Sequence, residues 1–179
     1  MSRLPFSTAL LLAPLVYAIH HAEEHLLFNF RAWRLRYFAD NNALSTEAVL
    51  VVLMSVSMVY LLLHATIRTK VTVWVAITFL MATQVHNALF HLGGTLWFND
   101  FSPGLITALI LYLPVNFLIA RAALNEGMIT TQQLGITFCA GSMLFWAFEL
   151  IGPLVLLVAT LTTWLWALSS ARTPKANGV

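Results

Sequence analysis

The run Ile19-His20-His21-Ala22-Glu23-Glu24-His25 places three imidazoles and two carboxylates within seven residues. Imidazole and carboxylate together suit zinc, iron or manganese, and the same groups serve general acid–base chemistry. An apolar run from Phe6 to Ile19 precedes the cluster and Leu26-Leu27-Phe28 follows it. The cluster therefore sits within or at the end of a membrane span, where one charged side chain costs roughly 2.5–3.5 kcal/mol on insertion scales. A bound cation offsets that cost. On an α-helix His20, Glu23 and Glu24 share an arc of about 100°, which His21 and His25 extend to one side. Glu24 lies about 40° from His20 and four residues after it, so both can reach one ion. Glu23 lies on the far flank of His20. The expectation is Glu24 as a ligand with His20, and Glu23 as general base or as an acceptor that orients an imidazole. The competing reading is a set of His–Glu hydrogen bonds lining a wet vestibule.

The elements that must carry these residues are transmembrane. The chain has 179 residues, of which 60% are hydrophobic and only 9% charged, with a mean hydropathy of +0.83. Those values exclude a soluble globular domain and predict an all-α, polytopic membrane bundle. The net charge of +2 gives no reason to expect a nucleic acid partner. Cys139 is the single cysteine, so no internal disulfide forms. Arg3, the leucine-rich run and Val16-Tyr17-Ala18 imitate a signal peptide. Apolar character resumes at Leu26, however, and the segment reads as a span.

At 1.5 Å per residue a span needs about 20 residues. The sequence divides into spans of about 5–30, 46–67, 71–98, 104–124, 131–151 and 153–169, the last two separated by Gly152-Pro153. Residues 31–42 read as a polar loop, Ser45 as a helix N-cap and Asn125-Glu126-Gly127 as a helix stop. Residues 1–170 form one domain, and 171–179 a disordered tail. With six spans both termini share a side that collects Arg3, Arg68, Lys70, Arg121, Arg172 and Lys175, against Arg31, Arg34 and Arg36 opposite. The positive-inside rule then puts both termini in the cytoplasm. Five spans, with the chain merely kinked at Pro153, fit the charges less well.

In this topology the odd-numbered spans run parallel, so depths compare directly. His20 and Glu24 lie about 21 and 27 Å beyond Phe6, His86 and His91 about 22 and 30 Å beyond Val71, and Glu149 about 27 Å beyond Thr131. Three helices thus bring costly residues to one level in the outer half of the bilayer. The expected metal ligands are His20, Glu24, His86, His91 and Glu149, with His21, His25 and Asn87 supporting them. His64 falls near the opposite surface beside Arg68. Tyr112 and Asn116 read as interhelical hydrogen bonders. Trp33, Trp97 and Trp164 read as interface belts, Arg31, Arg34 and Arg36 as solvated or touching head groups, and Gly93, Gly94, Ala140, Gly141 and Ser142 as close-packing positions.

His20, Glu23 and Glu24 match the pattern of the HXXEE family, small bacterial integral membrane proteins. Val85-His86-Asn87-Ala88-Leu89-Phe90-His91 and Ser102-Pro103-Gly104 resemble further parts of such proteins. The resemblance implies a membrane protein with a site, and no particular reaction.

Function follows from the ions that such a site would take. The first expectation is a divalent metal, zinc before iron or manganese, in an intramembrane enzyme of hydrolase type that acts on a lipid-like or small apolar substrate in the cell membrane. A homodimer is compatible with it. The alternatives are proton or metal-ion transport through Glu and His relays, and a haem or diiron oxidoreductase.

Overall fold

The computed structural model describes residues 4–40 and 44–172, and the described residues form helices with no strand. Arg3, Asn41, Asn42, Lys175 and most of the expected tail lie outside them. Helix α1 spans 6–27 as three successive segments, Phe6–Leu10, Leu12–Ala22 and a π-helical turn, Glu23–Leu27. A short helix α2, Phe30–Tyr37, follows. Then come α3 (Thr46–Ile67), α4 (Lys70–Phe98), α5 (Leu105–Asn125), α6 (Thr131–Ile151) and α7 (Leu154–Arg172). Helices α3 to α7 are each long and apolar enough to cross a membrane. Although segmented, α1 reaches roughly 30 Å.

Local sequence explains where these helices begin and end. Ser45 accepts from the Ala48 N–H at the start of α3, and Thr69 and Thr130 build capping boxes at α4 and α6. Asn99 adopts a left-handed conformation where α4 ends. Gly152 (φ 95°) and Pro153 separate α6 from α7. Helix α7 continues through Arg172, slightly past the expected end of the domain.

The expected polar loop after the first span is partly helical. Asn29 caps α2 by accepting from the Ala32 N–H, and Phe30, Trp33 and Tyr37 recur at helical spacing. Trp33 consequently does not lie in an interface belt. It is 3% exposed, stacks on Phe30 and presses against Gly94 of α4. Trp97, by contrast, is 85% exposed.

Helix α4 is the centre of the bundle: 61% of its apolar stretch is buried, against 17% in α6 and 11% in α7. It packs against α3, α5, α6 and α7, while α1 packs on α3 and α5. The outward residues of α6 and α7, among them Met143, Leu150, Leu157 and Leu165, are exposed and apolar. Helices apolar on their outward faces are suited to lipid. An apolar core of Phe6, Ala9, Leu10, Val73, Ile77 and Ile119 fills the half of the bundle away from the His/Glu cluster. His64 belongs to that half. It is buried, hydrogen-bonded through Nδ1 to Thr72 (2.9 Å), with its ring edge-on to Phe6.

Close packing of α6 on α4 rests on Gly141, where a Cβ would stand 2.5 Å from the Met81 Cβ and 2.9 Å from the Ala82 nitrogen. Gly141→Ala is expected to destabilise the fold by about 1–3 kcal/mol through overpacking. Gly135→Ala, where a Cβ meets nothing within 4 Å, should be neutral or slightly stabilising. Thermal unfolding of both variants in detergent checks the difference.

Candidate metal centre

Each of α1, α4 and α5 contains a π-helical turn: 23–27, 81–86 and 108–112. Such turns interrupt the regular side-chain register and occur often at functional sites. Here they lie within or next to the stretches that supply His20, Glu24, His91 and Thr107.

Glu24 stands at the middle of the cluster, 7% exposed. Its Oε1 lies 3.4 Å from the His20 Nε2 and 3.2 Å from the His91 Nε2. Its Oε2 lies 3.7 Å from the His25 Nε2. His20 and His91 are 1% and 0% exposed, and neither Nε2 makes a hydrogen bond. Both imidazoles are held from the other side. The His20 Nδ1 is 2.9 Å from the Thr107 hydroxyl, and the His91 Nδ1 is 2.8 Å from the Ser102 hydroxyl.

The hydrogen bonds around Thr107 fix the His20 tautomer. Glu23 accepts from the backbone N–H groups of Ile106 (3.2 Å) and Thr107 (2.7 Å), and from the Thr107 hydroxyl (2.5 Å). Its charge is thereby satisfied at the start of α5, where free N–H groups favour an anion. A carboxylate only accepts, so the Thr107 proton points to Glu23 and its oxygen is left to accept from the His20 Nδ1–H. The Nε2 lone pair of His20 then faces Glu24. Glu23 is thus a positioning residue that acts through Thr107. Of the two roles expected from the sequence, general base or acceptor that orients an imidazole, these contacts match the second, and Glu23 is absent from the cavity lining beside Glu24.

Gly104 completes the floor. It adopts φ 97°, and a Cβ there would lie 2.8–2.9 Å from carbons of His20, Glu24 and His91. Only a glycine gives this backbone both its conformation and its approach to three side chains.

The other expected ligands lie elsewhere. His86 bonds through Nδ1 to the Met81 carbonyl (2.8 Å) and packs on Phe138 and Phe145. Five residues from His91, it points about 140° away on a regular helix, so both cannot face one ion. Glu149 reaches the cavity wall, but Arg34 pairs with it at 2.7 Å. That pairing also takes Arg34 out of the solvated set: its side chain is 15% exposed. Asn87 lines the same cavity, its Oδ1 buried without a hydrogen-bond partner. His21, 6% exposed, and His25 lie beside Glu24, His25 at its Oε2.

Sequence reasoning missed the part played by the start of α5. Ser102-Pro103-Gly104 stood out as a motif without a role, and nothing in the spacing marked Thr107 as the link between Glu23 and His20. Tyr112 differs from expectation too. Its ring packs on His20, tilted by 37° with centroids 4.3 Å apart, and its buried hydroxyl has no partner. Asn116 does bridge helices, donating to Gln84 Oε1 (2.7 Å).

The cavity measures about 140 Å³. His20, Glu24 and Tyr112 lie at one end of its lining, and Arg31, Arg34 and Asp40 near the α1–α3 connection. A smaller apolar space of about 60 Å³, walled by Leu53, Phe145 and Leu156 among others, shares Asn87 and Glu149 with it.

A family model described as "Protein of unknown function with HXXEE motif" matches residues 11–119. The chain belongs to that family. No curated protein and no solved structure matches it. The HXXEE match contains His20, Glu23, Glu24, His91, Ser102 and Thr107, whereas Glu149 lies beyond it. The histidine and second glutamate that give the HXXEE motif its name meet at one point, and its first glutamate holds the helix that orients the histidine.

Thr107→Val keeps the shape of residue 107 and removes its hydroxyl. In metal-free protein, the ¹⁵N spectrum of labelled histidines should show His20 as the Nδ1–H tautomer in the wild type and lose that preference in the variant. An unchanged His20 signal would contradict the Glu23–Thr107–His20 chain.

Proposed function

We propose that this chain is a multi-pass cell-membrane protein that binds a divalent metal through His20, Glu24 and His91, and that it is a metal-dependent intramembrane enzyme of hydrolase type. One observation carries the reading. Two buried imidazole nitrogens without hydrogen bonds face the same carboxylate oxygen, while their opposite nitrogens are held by hydroxyl groups. This is how metal-ligating histidines are oriented. Three protein ligands with space beside them are the pattern of a catalytic zinc site, and the donor set also admits iron or manganese.

Such a metal supplies a bound water of lowered pKa and a Lewis acid. The protein's own groups supply the rest. Glu24 neutralises charge, Glu23 and Thr107 hold His20, and the Tyr17 and Tyr112 hydroxyls line the cavity without partners of their own. The cavity has polar groups at the His/Glu cluster and shares lining residues with an apolar space, which suits a lipid-like substrate with a polar group at the metal. With both termini in the cytoplasm, as the arginine and lysine distribution favours, this site belongs to the outer half of the bilayer.

The transport reading finds less support. From Tyr112 inward, Asn116, Gln84 and the Ala13 carbonyl form a closed hydrogen-bond chain, and the apolar core lies beyond it. A haem between His20 and His91 lacks space. Their ring centroids are 5.1 Å apart, and the Glu24 carboxylate stands against both.

Protein purified without chelators is expected to carry stoichiometric metal by elemental analysis. Glu24→Gln and His91→Ala should lose it, and His86→Ala should keep it. Glu23→Gln should weaken binding about 10–100-fold, the usual effect of removing a group that orients a ligand. Wild-type protein without stoichiometric metal would overturn the proposal.

A further inference from the structure

We infer that the centre is dinuclear, with Glu24 bridging two metal ions: one held by His20 and His91 at Oε1, the second by His21 and His25 at Oε2. This rests on the metal-binding reading above and adds a second site to it.

The two oxygens of Glu24 face different imidazoles. Oε1 meets His20 and His91 at 3.4 and 3.2 Å, and Oε2 meets His25 at 3.7 Å. Ligand atoms of His21, Glu24 and His25 all lie within 4.8 Å of one another, as do those of His20, Glu24 and His91. The two groups have Glu24 in common. Helix α1 supplies four of the five residues as two interleaved pairs, His20 with Glu24 and His21 with His25, each four residues apart and therefore on one helix face. The rings of His21 and His25 lie 4.4 Å apart.

No fixed positive charge beside Glu24 opposes the second ion. The basic side chains that approach Glu24 within 4 Å among the described residues are all histidines, with no Lys or Arg among them. Oε1 thus has two imidazoles beside it, Oε2 has His25 with His21 in the same group, and neither oxygen has a Lys or Arg within 4 Å. Each ion would have two imidazoles and one carboxylate oxygen, with positions left open. Both sites adjoin the cavity, because His20, Glu24 and His25 all line it. Two metals a few ångströms apart clamp an oxygen-bearing group between them, so the substrate class narrows to one that presents two oxygens, such as a phosphate or carboxylate ester head group.

The test uses full-length protein in detergent, stripped of metal and reloaded with Mn²⁺. Metal analysis after desalting should give two ions per chain in the wild type and one in the His21→Ala/His25→Ala variant. Electron paramagnetic resonance of the loaded wild type should show a spin-coupled pair, a readout that does not depend on any variant folding. One ion per chain with the spectrum of an isolated Mn²⁺ would overturn the dinuclear centre and leave the His20–Glu24–His91 site standing. Two ions that survive the double substitution would overturn the assignment to His21 and His25. No bound ion would remove both readings together.

Discussion

The structure depends on how two adjacent buried carboxylates are stabilised inside an apolar bundle. Glu23 and Glu24 are 3% and 7% exposed, and an unpartnered charge at such a position costs several kcal/mol. The two are handled differently. Glu23 meets backbone N–H groups and a hydroxyl at the start of α5, so its charge is offset by the protein alone. Glu24 meets imidazoles only. A bound metal cation would offset that carboxylate and use the Nε2 atoms of His20 and His91, which make no hydrogen bond. The same anion that positions α5 therefore orients, through Thr107, the imidazole that faces its neighbour.

The surrounding architecture follows from that arrangement. Gly104 lets the backbone before α5 approach His20, Glu24 and His91, and Ser102 and Thr107 on either side of it reach the outward nitrogens of the two histidines. Helix α4 crosses the middle of the bundle and delivers His91 to the cluster. The π-helical turn at 81–86 sets the face on which Met81 and Ala82 receive Gly141 of α6. The Arg34–Glu149 pair ties α2 to α6, and both residues line the cavity.

Much of this was legible in the sequence, for definable reasons. Helix spans follow from apolar run length, and Ser45, Asn125-Glu126-Gly127 and Gly152-Pro153 mark their ends by cap and turn chemistry. The pairing of His20 with Glu24 follows from an i,i+4 spacing, and depth alone brought His91 and Glu149 toward the same level. Depth does not fix azimuth, however. His86 stands near the right height and faces Phe138 and Phe145 instead. Spacing within one helix also says nothing about the loop of another, so the roles of Ser102, Gly104 and Thr107 were hidden. The helical stretch at Phe30–Tyr37 was obscured by its arginines, although Asn29 and the aromatic spacing encode it.

The central claim is that His20, Glu24 and His91 together hold a metal. Metal K-edge X-ray absorption on protein as purified tests it most directly, because it reads the ligands rather than the amount bound. The account predicts nitrogen and oxygen neighbours at about 2.0–2.2 Å with the multiple-scattering signature of at least two imidazoles. A spectrum with sulfur ligation, or with oxygen neighbours and no imidazole scattering, would contradict it.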